Sequence, residues 1–368
     1  MKSLPKRPEL EFLKKEARVL RVLQMKGDPA CCDRIRDYDT SCEAMSDADI
    51  LAGKFSINDA QRVIAHEYGY ASWAALKKYI ELINLPLYHM VTDRQGYHRT
   101  ITDSYDARSK NYENSEWHRE VALTTVKYWP PESGQLVLDI ATGTGTIAFH
   151  CAELVGPRGK VVGVDISTGM LDKCREKLAE RKLANLAFTH ADGEQLDFQP
   201  NSFDRIYCAN AIFWMSNLQA ALRHWYELLK PGGVVGFNAT PSSSFFWGCA
   251  ARKALAMVGI DFICNIPAGD EANAREMLEC AGFTNFRLHA APNGRYIATE
   301  DAKDPPFLTL QAYAPGQYPH PLEDVSDETM QLAQQAYNAE VDKHATEDGV
   351  WHDMTQYYVY GQKPADRE

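Results

Sequence analysis

The feature that most restricts this chain is a strand that runs straight into a glycine-rich turn. Leu136-Val-Leu-Asp-Ile140 is short and apolar, and it passes directly into Ala141-Thr-Gly-Thr-Gly145 ahead of a helical pattern. A brief apolar run of this kind reads as a strand buried on both faces of a parallel sheet. Glycine permits positive φ and lets backbone N–H groups approach a ligand with no Cβ in the way. The helix that follows adds unpaired donors and the positive end of its dipole. Such a unit belongs at the carboxyl edge of a doubly wound α/β sheet, where it cradles a polar cofactor. Dinucleotide-binding enzymes use the same device, so the turn alone leaves its ligand open. Its pattern, Asp-x-Ala-Thr-Gly-Thr-Gly, differs from their G-x-G-x-x-G after an uncharged strand.

Further signals follow in order. A second strand, Lys160-Val-Val-Gly-Val164, closes on Asp165, 20 residues past Gly145, ahead of a helix from Ser167 to Lys182. An acid at that place can accept hydrogen bonds from both hydroxyls of a ribose. After a third strand, Leu186 to Thr189, Asp192 can accept from an adenine amino group while the Gly193 N–H addresses the ring. A fourth strand, Asp204 to Cys208, leads into Asn210-Ala-Ile-Phe-Trp-Met215 and a helix from Asn217 to Leu229. Leu229-Lys-Pro-Gly-Gly233 then turns into Gly233-Val-Val-Gly-Phe237. A helix Ala272 to Ala281, a strand Phe286 to His289, a helix from about Glu328 to His344 and a last strand Gln356 to Gly361 complete the pattern. Each signal has an ordinary explanation: Asp165 can cap the helix at Ser167, and Lys-Pro-Gly-Gly is a turn. Their joint order is what carries weight.

The segments VLDIATGTG, VVGVDISTGMLDKCREKL, HADGEQLDF, SFDRIYCANAIFWM and LLKPGGVV resemble the class I S-adenosylmethionine (SAM) methyltransferases of the ubiquinone/menaquinone-biosynthesis type, over roughly Tyr105 to Phe283. The resemblance implies a Rossmann-like, seven-stranded methyltransferase sheet with SAM as cofactor. It implies that the loop at Asp139, Ala141, Thr142, Gly143 and Gly145 holds the methionine part. Asp165 would take the ribose, Ile166 and Met170 the adenine face, Asp192 and Gly193 the adenine edge, and Asn210 a further cofactor contact. Ala141 stands where the family more often has glycine, which a negative φ would tolerate. Upstream, the run from Tyr105 to Arg119 resembles the family's N-terminal lid, with Tyr112 as a cofactor contact and Trp117 and His118 bordering the reaction centre.

Residues 1–86 read as a separate all-α domain. Leu10, Leu13, Ala17, Leu20 and Leu23 recur at helical spacing before a stop at Gly27-Asp-Pro29. Further helices start at Ser56 and Ser72. The run INDAQRVIAHEYGYASWAALKKYI resembles a helical segment at the head of some bacterial ankyrin-type fusion proteins, and implies packing, partner binding or self-association into a homo-oligomer. Residues 87–368 form the expected methyltransferase domain, with a lid at 87–130 and a substrate-covering insertion at 291–353. Net charge is −11, which gives no overall reason to expect nucleic acid or an anionic membrane as partner. Nine cysteines, scattered with no CxxC, and no zinc-ligand spacing indicate reduced thiols and no metal. With no apolar run near 20 residues and no signal-like segment, a cytoplasmic location is expected.

For chemistry, His118 is the candidate general base because imidazole titrates near neutrality. Trp117, Phe213, Trp214, Phe246, Trp247 and Tyr313 are candidate acceptor contacts and point to a small apolar or aromatic substrate, methylated on oxygen or carbon. Methylation of a small amine, an NAD-type oxidoreductase and a non-catalytic scaffold stay open as alternatives.

Overall fold

The computed structural model describes residues 2, 9–70, 72–74, 76–77, 80, 93–241, 243–260, 262, 267–304, 322 and 324–365. The chain divides into two compact units, Met1–Leu85 and Pro86–Glu368.

The first unit is built from α1 (Leu10–Met25), α2 (Cys32–Tyr38), α3 (Asp47–Ala52) and α4 (Ile57–Glu67). Leu13, Ala17 and Leu20 of α1 pack on Ala60, Val63 and Ile64 of α4, all fully buried. Ser56 opens α4 with a capping box closed by Asp59, which satisfies two otherwise unpaired N–H groups. The helix expected from Ser72 lies partly outside the described residues, and α2 and α3 are too short for a periodicity signal. Glu67, 1% exposed, is held by Arg34 at 2.5 and 2.8 Å and by Lys2 at 2.7 Å. Such a buried charge survives only with partners of this quality.

In the second unit, α5 (Arg94–Arg108) and α6 (Glu116–Lys127) precede β1 (Leu136–Ile140), α7 (Thr146–Val155), β2 (Lys160–Asp165), α8 (Thr168–Arg181), β3 (Leu186–His190) and β4 (Phe203–Cys208). Next come α9 (Leu218–Leu228), β5 (Leu229–Ala239), α10 (Phe246–Met257), α11 (Glu271–Ala281) and β6 (Thr284–Ala291). β7 (Gly294–Ile297), α12 (Thr299–Ala302), α13 (Asp327–His344), β8 (Ala345–Thr346), β9 (Gly349–Asp353) and β10 (Gln356–Gln362) complete it. Seven strands form one sheet in the order β3-β2-β1-β4-β5-β10-β6. β1 to β5 are parallel, and β10 runs antiparallel to both its neighbours. This is the seven-stranded Rossmann-like sheet that the resemblance implies, and its strand order reverses between β1 and β4, where ligands bind at the carboxyl edge.

Two features depart from expectation. The Lys230-Pro-Gly-Gly233 turn is absorbed into β5, with a register shift opposite Phe203 and Arg205 and Gly232 at φ +78°. The stretch 291–353 also builds its own three-stranded sheet, β7-β9-β8, beside α13. Strands of two to five residues carry too little alternation to be seen in a sequence. Phe246 and Trp247, taken as pocket residues, begin α10, which packs along α13.

Candidate functional site

The glycine-rich turn is tied down by two acids. Asp139, 2% exposed, accepts from Thr142 Oγ1 at 2.5 Å and Ala148 N at 3.0 Å, and burial pushes its carboxyl up to about 7. Asp165 accepts from Gly143 N and Ser167 N, both at 2.8 Å. Burial raises its pKa, and the hydrogen bonds from Ser167 and Gly143 oppose that shift. So Asp165 shapes the loop and touches the helix cap at once, with lone pairs left for a further donor. Gly143 and Gly145 have φ of +56° and +90°, and a Cβ on Gly145 would lie 2.9 Å from the Phe149 ring. Ala141 corrects an expectation: its φ is +52°, so it holds a left-handed conformation in spite of its methyl group.

A cleft of about 80 Å³ lies over this edge. It is lined by Tyr112, Ala141, Gly143, Asp165, Ile166, Asp192, Gly193 and Asn210, so most of the expected cofactor residues converge on it. Thr142 and Asp139 face the neighbouring cavity instead. Gly145 and Met170 line neither space; Met170 is 1% exposed, on the buried face of α8. Gly193 fits the close approach required of it, since a Cβ there would meet Ile140 at 2.6 Å.

Asp192 is engaged from α5. Arg94 Nη2 of α5 donates to Asp192 Oδ2 at 2.6 Å and stands 3.5 Å from Glu194. His98 lies 3.7 Å from Asp192 and 3.5 Å from Glu194. Glu194 also accepts from Ser216 N at 3.0 Å, Ser216 Oγ at 2.7 Å and Asn217 N at 2.7 Å. His98, Asp192 and Glu194 bring three potential metal donors within 4.8 Å of one another. The Arg94 guanidinium sits on the same two carboxylates and already supplies the positive charge, so the group is an ionic clasp between α5 and the β3–β4 segment. The sequence reading missed Arg94, His98 and Glu194, because nothing local marks residues that meet only across about a hundred positions.

The second space, about 1000 Å³, adjoins the first and shares Tyr112, Ala141, Gly143 and Asn210 with it. His118 lines it, its ring 5.0 Å from Tyr112 and 4.9 Å from Trp117. His118 Nδ1 meets Ser115 Oγ at 2.5 Å, and burial, with the Arg108 charge, lowers its pKa to about 4. Asn210, at φ +53°, accepts from Asn238 Nδ2 and donates Nδ2 to His118 O, both at 3.3 Å; its backbone N donates to Asn238 Oδ1 at 2.6 Å. Asn238 Nδ2 also reaches Gln356 Oε1 at 2.9 Å. This buried polar chain joins the ends of β4, β5 and β10. A lone Asn inside the apolar run Val234 to Ala239 was the one signal that could have found Asn238.

The expected acceptor residues scatter. Trp214 lines the smaller cleft and donates Nε1 to Tyr105 OH at 2.8 Å. Phe213 lies beside Trp214, the rings tilted with centroids 5.5 Å apart, and lines neither space. Trp117 meets Phe245 edge-on at 5.8 Å and lies behind His118. Phe246 packs in the α10–α13 core, and Trp247 lies 4.2 Å from the buried His352 ring. Tyr313 lies outside the described residues.

The sequence profile of a methyltransferase domain family matches residues 137–233. Aklanonic acid methyltransferase DauC of Streptomyces sp. is 30% identical over 146 residues, 39% of this chain and 66% of that protein. The ubiquinone/menaquinone biosynthesis C-methyltransferase UbiE of Pseudomonas putida is 41% identical over 117 residues, 32% of this chain and 46% of the relative. The matches thus span about half to two thirds of the relatives' own lengths. Among solved structures, phosphoethanolamine N-methyltransferase 2 of Haemonchus contortus, in complex with SAM, is 21% identical with a TM-score of 0.42. That alignment covers 76% of this chain and 61% of the other. The YcgJ protein of Bacillus subtilis is 16% identical with a TM-score of 0.43, over 67% and 99% of the two chains.

Proposed function

We propose that this chain, which carries a class I SAM-dependent methyltransferase domain, transfers a methyl group to oxygen or carbon of a small, acidic, preferably aromatic acceptor. The observation that carries the reading is the convergence of Gly143, Asp165, Ile166, Asp192 and Gly193 on one cleft that opens into a larger space walled by Tyr112, His118 and Asn210. Bound SAM supplies an electrophilic methyl group on a sulfonium. Asp165 has the remaining acceptor capacity to hold the ribose hydroxyls, while Ile166 and Trp214 offer apolar surface to the adenine. Asp192, clasped by Arg94, presents its carboxylate to the adenine edge. Tyr112 bridges the two spaces, and its ring face suits a cationic sulfonium.

The chain's other task is to align the acceptor and exclude water, which can supply about 7–11 kcal/mol of rate enhancement. His118 is neutral above a pKa of about 4, so it accepts a hydrogen bond but takes a proton poorly from a group of ordinary phenol acidity. This favours acceptors that ionise near neutrality, such as an enol between two carbonyls or an acidic phenol. Arg108, whose charge adds to burial in lowering His118, favours an anionic acceptor, against the carboxylates of Glu113, Glu116 and Glu120 that line the same space. The N-terminal helical unit, whatever its ankyrin-type resemblance implies about partners, contributes no residue to this reading.

Calorimetry with S-adenosylhomocysteine and with NADH tests the assignment. Binding of the first and not of the second is expected; the reverse, or no binding of S-adenosylhomocysteine at millimolar concentration, overturns it. Asp165→Ala should weaken S-adenosylhomocysteine binding about ten- to a hundredfold, since charge-assisted hydrogen bonds contribute about 1.5–3 kcal/mol. Unchanged affinity would put the ribose elsewhere.

A further inference from the structure

Nine large apolar side chains are exposed among the described residues, and four of them stand on α1. Phe12, Val19, Val22 and Met25 are 45%, 48%, 45% and 66% exposed. The opposite face of the same helix, Leu13, Ala17, Leu20 and Gln24, is buried in the core of its unit. At 100° per residue, Phe12, Lys15, Val19, Val22 and Lys26 fall on one outward face, with Arg18 and Met25 along one margin and Glu16, engaged by Lys2 and Tyr68, along the other. The three basic residues Lys15, Arg18 and Lys26 are exposed. Lys15 and Lys26 make no ion pair among the described residues, and Glu11 at the start of the face is engaged by Lys14 at 2.6 Å. The outward side of α1 therefore alternates apolar and basic groups along a single ridge.

We propose that this face of α1 docks on an anionic lipid surface, lying flat in the headgroup layer. The chemistry fits from both directions. Apolar side chains of this size reach the acyl boundary, while Lys and Arg stems lie along it and place their charges among phosphates. The net charge of −11 belongs to the rest of the chain: residues 1–85 hold fourteen basic and thirteen acidic side chains. Charges beyond about 8–10 Å are screened at physiological salt, so the local face governs contact. Lys6 and Arg7, just ahead of α1 in sequence, add to the basic character. A second copy of the chain is a poorer occupant, because two such faces pressed together crowd the Lys15, Arg18 and Lys26 cations of both copies into one interface. The docking is peripheral: no helix among the described residues is long and apolar enough to span a bilayer. It qualifies the expectation drawn from net charge, and it stands independently of the methyltransferase reading.

The test uses the full chain and sucrose-loaded vesicles, either pure phosphatidylcholine or a 7:3 mixture with phosphatidylglycerol, in about 0.1 M salt. Cosedimentation should show at least tenfold stronger partitioning onto the anionic vesicles. Val19→Glu/Val22→Glu and Lys15→Glu/Arg18→Glu should each lower it at least tenfold, with unchanged circular dichroism melts because all four positions are exposed. Wild-type partitioning equal to that on phosphatidylcholine overturns the proposal. So does anionic binding that both double variants retain, which would place the contact elsewhere. A dimer seen by light scattering without lipid, lost in Val19→Glu/Val22→Glu, would assign the face to self-association and also overturn it.

Discussion

Ala141 shows how one residue in the loop resists its surroundings. A left-handed conformation costs an L-residue roughly 1–2 kcal/mol, whereas glycine adopts it freely at an entropic cost of about 0.5–1 kcal/mol. Ala141→Gly should therefore stabilise the protein by up to about 1 kcal/mol, a rise of roughly 1–3 °C in Tm by calorimetry. A fall would mean that the methyl group makes contacts that outweigh its φ of +52°. His118 makes a different kind of prediction. With a pKa of about 4 it stays neutral across the usual assay range, so kcat should show no inflection near pH 6.5 and should fall only toward pH 4. His118→Ala should lower kcat about a hundredfold and leave S-adenosylhomocysteine affinity unchanged. A wild-type kcat that drops below pH 6.5 would show that the ring titrates as an ordinary imidazole, and a fully active variant would remove the residue from the reaction.

At the scale of elements, legibility followed the range over which the determining contacts act. The strands and helices from β1 to β5 were visible because each is long enough to impose its own period, and the turn at 141–145 because positive φ selects glycine. Asp165 and Asp192 were legible because a strand end fixes where an acid points. The ionic clasp was not, since Arg94 and His98 lie on α5 about a hundred residues from Asp192 and Glu194. The aromatic residues misled for the same reason. Phe246 and Trp247 pack against α13 and β9 and Trp214 bonds to Tyr105 on α5, partners that lie far away in the sequence. The clasp yields a test at its own scale. Arg94→Ala frees α5 from the β3–β4 segment and should speed S-adenosylhomocysteine release about two- to fivefold, the worth of a half-exposed ion pair. Stopped-flow rates in 1 M NaCl should bring wild type and variant together, because salt screens the pair. A difference that survives high salt would mean that Arg94 acts through packing.

Across the whole molecule, stability against pH is set by buried groups that pull in opposite directions. His118 and His352 both have native pKa values near 4, below the unfolded value of about 6.5, chiefly through burial. Between those limits the unfolded chain binds more protons than the native one, so stability rises with pH from about 4 to 6.5 and then levels. Asp139 works the other way: its native value, about 7, lies above the unfolded one, so its contribution declines as pH climbs from about 4 toward 7. Asp165, raised by burial, acts in the same sense as Asp139. Glu67, Glu194 and Glu340 are held below the ordinary carboxylate range by their hydrogen-bond partners, and join the two histidines in favouring a net loss of stability on acidification. His352 separates the terms, because it is 2% exposed, lines neither cavity, and among the described residues neither its Nδ1 nor the neighbouring Trp247 Nε1 has a hydrogen-bond partner. His352→Phe removes one buried polar atom and one proton-linked site. It should be neutral or stabilising at pH 8 and more stabilising at pH 5 by about 2 kcal/mol, the linkage energy between pKa values of about 6.5 and 4. Urea unfolding at the two pH values measures that difference directly. Equal shifts at both would show that His352 is protonated to the same extent folded and unfolded, and that its burial does not hold the ring neutral.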